Sequence, residues 1–304
     1  MDMTRKIGTI TAQIVNGFVN DGMGGNPAGV VLDADGLDEA QMLQIARKVG
    51  VSETAFVSAS DEAGFRLDFF TPNRRIAHCG HATIAAFSYL AQLGRVSEGE
   101  TSKMTVDGPR KIIIRDNQSF MEQLSPSYAS PGDWNDAGVG RADVLASLGL
   151  TDDDLIHGAD MQLVNTGNSF IVVPVRDAAT LAAIVPDQSA IEEISEKLDL
   201  IGYYVFALEG EDADFDATTR MFAPRYAIPE EAATGMAAGP LACYLHDVLG
   251  SKASHFEIAQ GYFMTPPSPS RIKVDLDLDA DGKIKGLIAG GYGRSMHEMM
   301  IELD

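Results

Sequence analysis

Two segments of the sequence predict helices that lack a polar face. The first runs from about Ala82 to Leu93 and the second from about Ala237 to Leu249. A helix that is apolar all round is buried on every side, so its N-terminus is buried too. The first N–H groups of a helix have no partner within it, and the helix dipole adds partial positive charge there. Each segment therefore predicts a buried helix start suited to a small anion such as a carboxylate.

The remaining pattern is rich in strands. Short apolar or alternating runs predict strands at Thr9–Val15, Gly29–Leu32, Thr54–Val57, Phe65–Phe70, Phe170–Val175, Tyr203–Leu208 and Thr218–Phe222. Asp38 is placed to cap a helix that Gly50 ends, and Asp116-Asn117 predicts a hairpin turn. Because strands and helices do not alternate regularly, the order predicts an α+β fold and not a doubly wound sheet.

The chain also contains an internal repeat. Three features recur in the same order: Gly25-Asn26-Pro27 and Gly167-Asn168-Ser169, Phe70-Thr71-Pro72 and Phe222-Ala223-Pro224, and the two helix starts at Gly80 and Gly235. The alternative is chance similarity between two helices rich in glycine and alanine. We interpret the pattern as a duplication. The predicted halves are 1–125, to which about 290–304 could belong, and 133–289, joined by a linker at Ser125–Gly132.

Composition narrows the function further. The 304 residues carry a formal net charge of −21, which argues against binding to nucleic acid or to anionic membranes. No apolar run is long enough to span a bilayer, and the N-terminal residues lack the hydrophobic core of a secretory signal. Two cysteines provide no disulfide framework, which suits the reducing cytoplasm. We expect a cytoplasmic protein with a small-molecule ligand.

Three polar side chains are candidates for chemistry. Glu53 begins an apolar strand, where a desolvated carboxyl group could exchange protons near neutral pH. A solvated glutamate at a strand end is the alternative. His81 lies in the first turn of the first buried helix, and a structural, hydrogen-bonded histidine is its alternative. Glu231 precedes the second helix start, where it could simply be a favourable charge near the helix dipole.

The cysteines argue against two other kinds of site. A racemase with two thiols needs one cysteine on each face of the substrate carbon, but the repeat places Thr234 opposite Cys79. Cys243 lies well inside the second helix and is predicted to be a core residue. His78, Cys79 and His81 have the donor types of a zinc site, but no second ligand pair has suitable spacing. We predict no metal and no cofactor.

The sequence resembles the PhzF family, the phenazine-biosynthesis-like isomerases with the diaminopimelate epimerase fold. The matching pieces span nearly the whole chain in family order: Gly25-Asn26-Pro27-Ala28-Gly29-Val30-Val31, Ser52-Glu53-Thr54-Ala55-Phe56-Val57, Phe70-Thr71-Pro72, Cys79-Gly80-His81-Ala82-Thr83, Phe222-Ala223-Pro224, Thr234-Gly235 and Gln260-Gly261. The resemblance implies two similar halves, each a barrel-like sheet around a central buried helix and related by a pseudo-two-fold axis. It also implies an active site in the cleft between them, a homodimer and a cofactor-free isomerase.

The resemblance also assigns roles to residues. The proton-transferring glutamate of the family falls on Glu53, and its glycine-histidine pair falls on Gly80-His81. The aspartate of the family becomes Glu231, one methylene longer, and a serine becomes Met236. A displacement of about 1 Å can cost a large factor in rate, so the phenazine precursor is a doubtful substrate.

We predict a cofactor-independent isomerase that moves a proton and a double bond in a small carboxylate. The predicted catalytic residues are Glu53, His81 and Glu231, and the predicted substrate-binding residues are Asn26, Gly80, Ala82, Thr234, Gly235 and Met236. Two alternatives remain open: an epimerase or racemase of a small carboxylic acid, and a non-catalytic member of the family that binds a small anion.

Overall fold

The computed structural model describes residues 8–210 and 213–303. Residues 1–7, on which the expectation of no secretory signal partly rests, lie outside the described range. The chain divides into two compact units, Met1–Met121 with Gly291–Asp304, and Glu122–Gly290. In the described part of the chain, no helix combines the length and the apolar character needed to cross a membrane.

The first unit is a twisted series of strands around one helix. Its elements are β1 (Ile10–Gly17), β2 (Asn26–Val31), α1 (Glu39–Val49), β3 (Thr54–Ser58), β4 (Phe65–Phe70), β5 (Arg75–Ile76), α2 (Gly80–Gln92), β6 (Gly99–Thr105), β7 (Gly108–Arg115), β8 (Gln118–Leu124), whose last residues pass into the second unit, and the C-terminal strand β17 (Arg294–Ile301). The pairing order is β17-β1-β2-β3-β4-β6-β7-β8. All pairs are antiparallel except β2 with β3 and β4 with β6.

The second unit repeats this plan with its own elements. They are β9 (Ser127–Ala129), α3 (Arg141–Leu148), β10 (Gln162–Asn165), β11 (Ser169–Val175), α4 (Ala178–Ala183), α5 (Gln188–Lys197), β12 (Gly202–Leu208), β13 (Ala217–Phe222), α6 (Gly235–Asp247), β14 (His255–Gln260), β15 (Ser270–Leu278) and β16 (Ile284–Gly291). The order is β9-β10-β11-β12-β13-β14-β15-β16, and the two parallel pairs are β11 with β12 and β13 with β14.

The two units therefore share one topology. In each, the parallel pairs join the third strand to the fourth and the fifth to the sixth, and a helix makes each crossover. A parallel pair needs such a crossover because its strands run in the same direction. The central helix is the second crossover, α2 in one unit and α6 in the other. This arrangement confirms the predicted α+β fold with a strand-wrapped buried helix in each half.

The central helices are buried because their sequences offer no polar face. Ala82, Ala85 and Phe87 in α2, and Ala237 and Leu241 in α6, are all inaccessible to solvent. Both helices begin two residues earlier than predicted, at Gly80 and Gly235, because these glycines already have helical geometry ahead of the first apolar residue.

Local signals elsewhere mostly matched the structure. Asp38 forms a capping box with Gln41 at the start of α1, and Gly50 ends that helix in the left-handed conformation. Asp116 and Asn117 both have positive φ in the tight turn between β7 and β8. The predicted linker at Ser125–Gly132 instead contains β9, which pairs with β10. Pro126, Pro131 and Gly132 signalled a break in the chain, but they flank β9, which contains only Ser127, Tyr128 and Ala129.

Candidate active site

Glu53, His81 and Cys79 form one buried cluster in the first unit. Oε2 of Glu53 lies 3.3 Å from Nε2 of His81. On the other side of the imidazole ring, Nδ1 lies 3.5 Å from Sγ of Cys79. The three residues are 8%, 5% and 7% exposed. The histidine ring is therefore held between a carboxyl group and a thiol, away from bulk water.

Three neighbouring elements bring this cluster together. Glu53 directly precedes β3, and its carbonyl accepts a hydrogen bond from the N–H of Gly29 in β2 (3.0 Å). Cys79 is the N-cap of α2, and His81 is in its first turn. Gly17 of β1 lets the helix start approach the sheet, because a Cβ there would lie 3.1 Å from the carbonyl oxygen of His81. The close packing of α2 on β1–β3 thus places His81 against Glu53.

The cluster contains side chains of the types used both for metal binding and for proton transfer. One donor atom from each of the three side chains lies within 4.8 Å of the others, and each side chain is of a type that ligates Zn²⁺. The two ring nitrogens of His81 face different partners, the carboxyl group of Glu53 and the thiol of Cys79. A carboxyl group beside an imidazole can instead be held in one orientation and exchange a proton with a bound molecule.

The start of α2 offers backbone donors beside the cluster. Thr83 donates its N–H to the carbonyl of Cys79 (3.2 Å), which is the first helical hydrogen bond. Across residues 8–210 and 213–303, the N–H groups of Gly80 and Ala82 have no recorded acceptor. Asn26, the remaining predicted binding residue of this unit, is buried at the first position of β2.

In the second unit, Glu231 and Thr234 are fixed by a buried glutamine. Oε1 of Gln260 accepts the N–H of Thr234 (3.0 Å), and its Nε2 donates to the carbonyl of Glu231 (2.7 Å). Tyr204 also donates its hydroxyl to Oε1 of Gln260 (3.0 Å). The hydroxyl of Thr234 donates to Oε2 of Glu231 in a short hydrogen bond. Glu231 is therefore oriented by the turn that begins α6.

Only part of the predicted donor set at α6 is open. The sequence predicts that backbone N–H groups near Thr234 and Gly235 bind a carboxylate, but the N–H of Thr234 donates to Gln260. In the described ranges, the N–H groups of Gly235 and Met236 have no recorded acceptor. The sulfur of Met236 contacts Nδ2 of Asn168 at 3.5 Å. Asn168 is the repeat equivalent of Asn26, and that alignment was the signal that could have added it to the predicted site.

The sequence interpretation missed three buried polar residues beside these sites. Gln260 was noted only as part of a family motif, and Tyr204 and Lys103 were not singled out at all. Each lies within a strand, and periodicity along a strand indicates burial but not which partner a polar side chain meets. Their contacts join elements that are well separated in the sequence.

The chain matches the family described as phenazine biosynthesis-like proteins over residues 15–292. The chain belongs to this family. Among curated relatives, it is 35% identical to the uncharacterized isomerase YddE of Escherichia coli K12, over 77% of this chain and 79% of the relative. It is 30% identical to the trans-2,3-dihydro-3-hydroxyanthranilate isomerase of Pseudomonas chlororaphis, over 84% of this chain and 87% of that protein. The chain is accordingly an isomerase of this family.

Solved structures support the same assignment. A PhzF-family phenazine biosynthesis protein of Bacillus anthracis has a TM-score of 0.85 and 26% sequence identity, covering 98% of this chain and all of that one. A probable proline racemase from Agrobacterium radiobacter is similar in fold alone, with a TM-score of 0.57 and 14% identity, covering 97% of this chain and 94% of that one. The fold is thus that of the PhzF and proline racemase group.

Proposed function

We propose that this protein isomerises a small carboxylate by moving a proton between two carbon atoms, with Glu53 as the acid and base. The observation that carries this proposal is the buried pair of Glu53 and His81, whose side chains lie 3.3 Å apart at a helix start. A carboxyl group shielded from water is suited to take a proton from a carbon and to return it before exchange with solvent is complete.

The helix start supplies the second requirement. Removal of a proton from carbon leaves negative charge spread over the substrate's double bond and carboxylate. The N–H of Gly80 lies in the first turn of α2, at the positive end of the helix dipole, and would stabilise that charge. His81 holds Glu53 from the side and positions it. The proton leaves one carbon and returns to another, so the double bond shifts and no other reactant is needed.

The relative from Pseudomonas chlororaphis suggests the first compound to test. That protein is named for trans-2,3-dihydro-3-hydroxyanthranilate, a small cyclic carboxylate. We propose the same chemical class, a small unsaturated carboxylate, for this chain. Glu231 and Met236 occupy positions that would shape the preference within that class. We further propose that the enzyme works in the cytoplasm as a homodimer.

The first prediction tests Glu53 directly. Incubation in deuterium oxide with trans-2,3-dihydro-3-hydroxyanthranilate and related unsaturated carboxylates should incorporate deuterium at a substrate carbon, detected by NMR. Glu53→Gln keeps size and hydrogen bonding but removes the exchangeable proton, so turnover should fall about 10²–10⁴-fold. Binding should survive, because the helix-start donors hold the carboxylate.

The matched control is Glu62→Gln, which changes an exposed glutamate in the loop before β4 and should leave turnover unchanged. If Glu53→Gln turns over a substrate at the wild-type rate, Glu53 is a structural residue and this mechanism is wrong. Tight binding without deuterium exchange in the wild type would favour the non-catalytic alternative.

A further inference from the structure

Lys103 is a fully buried lysine that the proposed mechanism does not use. It lies on β6, and its side chain is inaccessible to solvent. Nζ donates to the hydroxyl of Thr83 in α2 at 2.6 Å and lies 5.1 Å from the ring centre of Phe69. In the part of the chain that the structure describes, no carboxylate is paired with it. An ammonium group with one neutral acceptor and no counter-ion is an expensive group to bury.

The hydrogen bonds of Lys103 lead to the start of α2. Thr83 has one hydroxyl proton, which it donates to the carbonyl oxygen of Cys79 at 2.6 Å, so its oxygen accepts from Lys103. The carbonyl of Cys79 and the N–H of Gly80 belong to the same peptide unit. A chain of hydrogen bonds therefore runs from the ammonium group to the open donor at the helix start. Hydrogen bonds in such a chain polarise one another.

The surroundings make the charge of Lys103 adjustable. The pKa of Lys103 is lowered from 10.5 to about 7, chiefly by burial; Cys79 and Asp107 act to raise it, and the positive charge of Arg110 acts to lower it. Arg110 is its partner across the strand pair β6–β7. Burial, together with the charge of Lys103, lowers the pKa of His78 to about 4, so that ring is neutral near pH 7. In the described part of the chain no carboxylate contacts Lys103 directly, and Asp107 acts on its charge only through space.

We propose that Lys103 is the buried counter-charge for an anionic ligand at the start of α2, and that ligand binding draws a proton onto it. This inference rests on the proposed carboxylate site and deepens it. The anion accepts from the N–H of Gly80, and the ammonium group balances its charge from behind, through Thr83 and the Cys79–Gly80 peptide. Lys103 is a positioning residue, because it does not touch the ligand.

The sign of the pH dependence follows. An anion nearby favours the charged form of Lys103, so its pKa is higher in the complex than in the free protein. Below pH about 7 the lysine is charged in both states, and affinity does not depend on its titration. Above that pH the free protein must take up a proton to bind, so affinity falls by up to about tenfold per pH unit.

Calorimetric titration of the full chain with anthranilate tests this linkage. It is run at about pH 6 and about pH 8.5, on either side of the pKa of about 7, in two buffers of different protonation enthalpy that contain neither carboxylate nor phosphate. For the wild type we expect weaker binding at the higher pH and uptake of close to one proton, against none at the lower pH. Lys103→Met should bind anthranilate more weakly than the wild type does at about pH 6. Its affinity should be the same at both pH values, with no proton uptake at either.

Two controls make the outcome specific. Lys111→Met changes a part-exposed lysine on β7 and should keep the wild-type proton uptake. Glu53→Gln should also keep the wild-type proton uptake. A loss of turnover can then be told apart from a loss of the coupling between binding and protonation. Thermal unfolding verifies that Lys103→Met is folded. Equal proton uptake in the wild type and in Lys103→Met, or no anthranilate binding by the wild type at about pH 6, would overturn the proposal.

Discussion

The two helix starts are built from different side chains, although they come from one repeat. At α2 the N-cap is Cys79, whose thiol is a weak partner for His81. At α6 the N-cap is Thr234, and Gln260 binds both its N–H and its hydroxyl. Because the thiol of Cys79 is a weak hydrogen-bonding partner, the main polar contact of His81 is with Glu53. The start of α6 is instead held by the hydrogen bonds of Gln260. We infer that the first start carries the chemistry and the second orients Glu231.

The rigid network can be tested at Gln260. Gln260→Met preserves length but removes the partners of the Thr234 N–H, the Glu231 carbonyl and the Tyr204 hydroxyl. Buried polar groups without partners cost about 1–3 kcal/mol each, so the free energy of unfolding should fall by about 2–4 kcal/mol, allowing for relaxation. Urea unfolding followed by circular dichroism measures the change.

Tyr204→Phe is the comparison for this network. It removes one hydroxyl from the same cluster but leaves Thr234 and Glu231 bonded to Gln260, so its cost should be about 1 kcal/mol. Equal costs for both variants would show that Gln260 does not hold the turn before α6.

Helices α2 and α6 show how one element can be both core and binding surface. Their flanks are covered by strands, and only the starting turn keeps open N–H groups. Pro240 lies inside α6 and has no N–H to donate to the carbonyl of Met236. The backbone of each starting turn thus adds polar groups to a helix whose flanks are largely apolar.

The enclosed position of α2 predicts that truncating a side chain in α2 lowers the free energy of unfolding more than truncating one in α1. Phe87 of α2 is fully buried and meets Phe65 edge to face, with ring centres 6.0 Å apart. Phe87→Ala should lower the free energy of unfolding by about 3–5 kcal/mol, since it leaves a cavity that strands on all sides cannot fill. Leu43→Ala, on the partly exposed face of α1, should cost less than about 2 kcal/mol. A similar loss for both in urea unfolding would contradict the enclosed position of α2.

For the whole molecule, the net charge of −21 is the dominant property. Many carboxylates form ion pairs with arginine or lysine, such as Glu230 with Arg220 (2.8 Å), but the 44 acidic residues outnumber the 23 lysines and arginines, so an acidic excess remains. Like charges at this density repel one another and oppose the compact state. A positive site for an anionic substrate must then be local, as the helix starts and Lys103 make it.

This self-repulsion predicts a salt effect on stability. Raising sodium chloride from about 10 mM to about 150 mM shortens the screening length from about 30 Å to about 8 Å, so the midpoint of thermal unfolding should rise by several degrees. Choline chloride should act equally, because screening does not depend on the identity of the cation. An unchanged midpoint, or a rise with sodium alone, would point to a specific sodium site instead.

The sequence by itself determined the architecture of each unit. The absence of a polar face in α2 and α6 required burial, and the repeated order of glycine, strand and helix signals predicted two copies of one fold. Local capping and turn residues such as Asp38, Gly50 and Asp116-Asn117 also predicted element ends correctly, because their effects act within a few residues. Glu53 and His81 were recognisable as candidates from their positions at a strand start and a helix start.

Tertiary structure decided which polar groups meet. The distance between Glu53 and His81 depends on how α2 packs on β1–β3, and no pattern along the chain contains it. Packing also decided that Gln260 takes the N–H of Thr234 and that Lys103 lies under the start of α2. These contacts join residues that are 20 to 28 positions apart in the sequence. Hydrophobic periodicity reports only which side of an element is buried, and the folded sheet alone determines which side chains share that buried space.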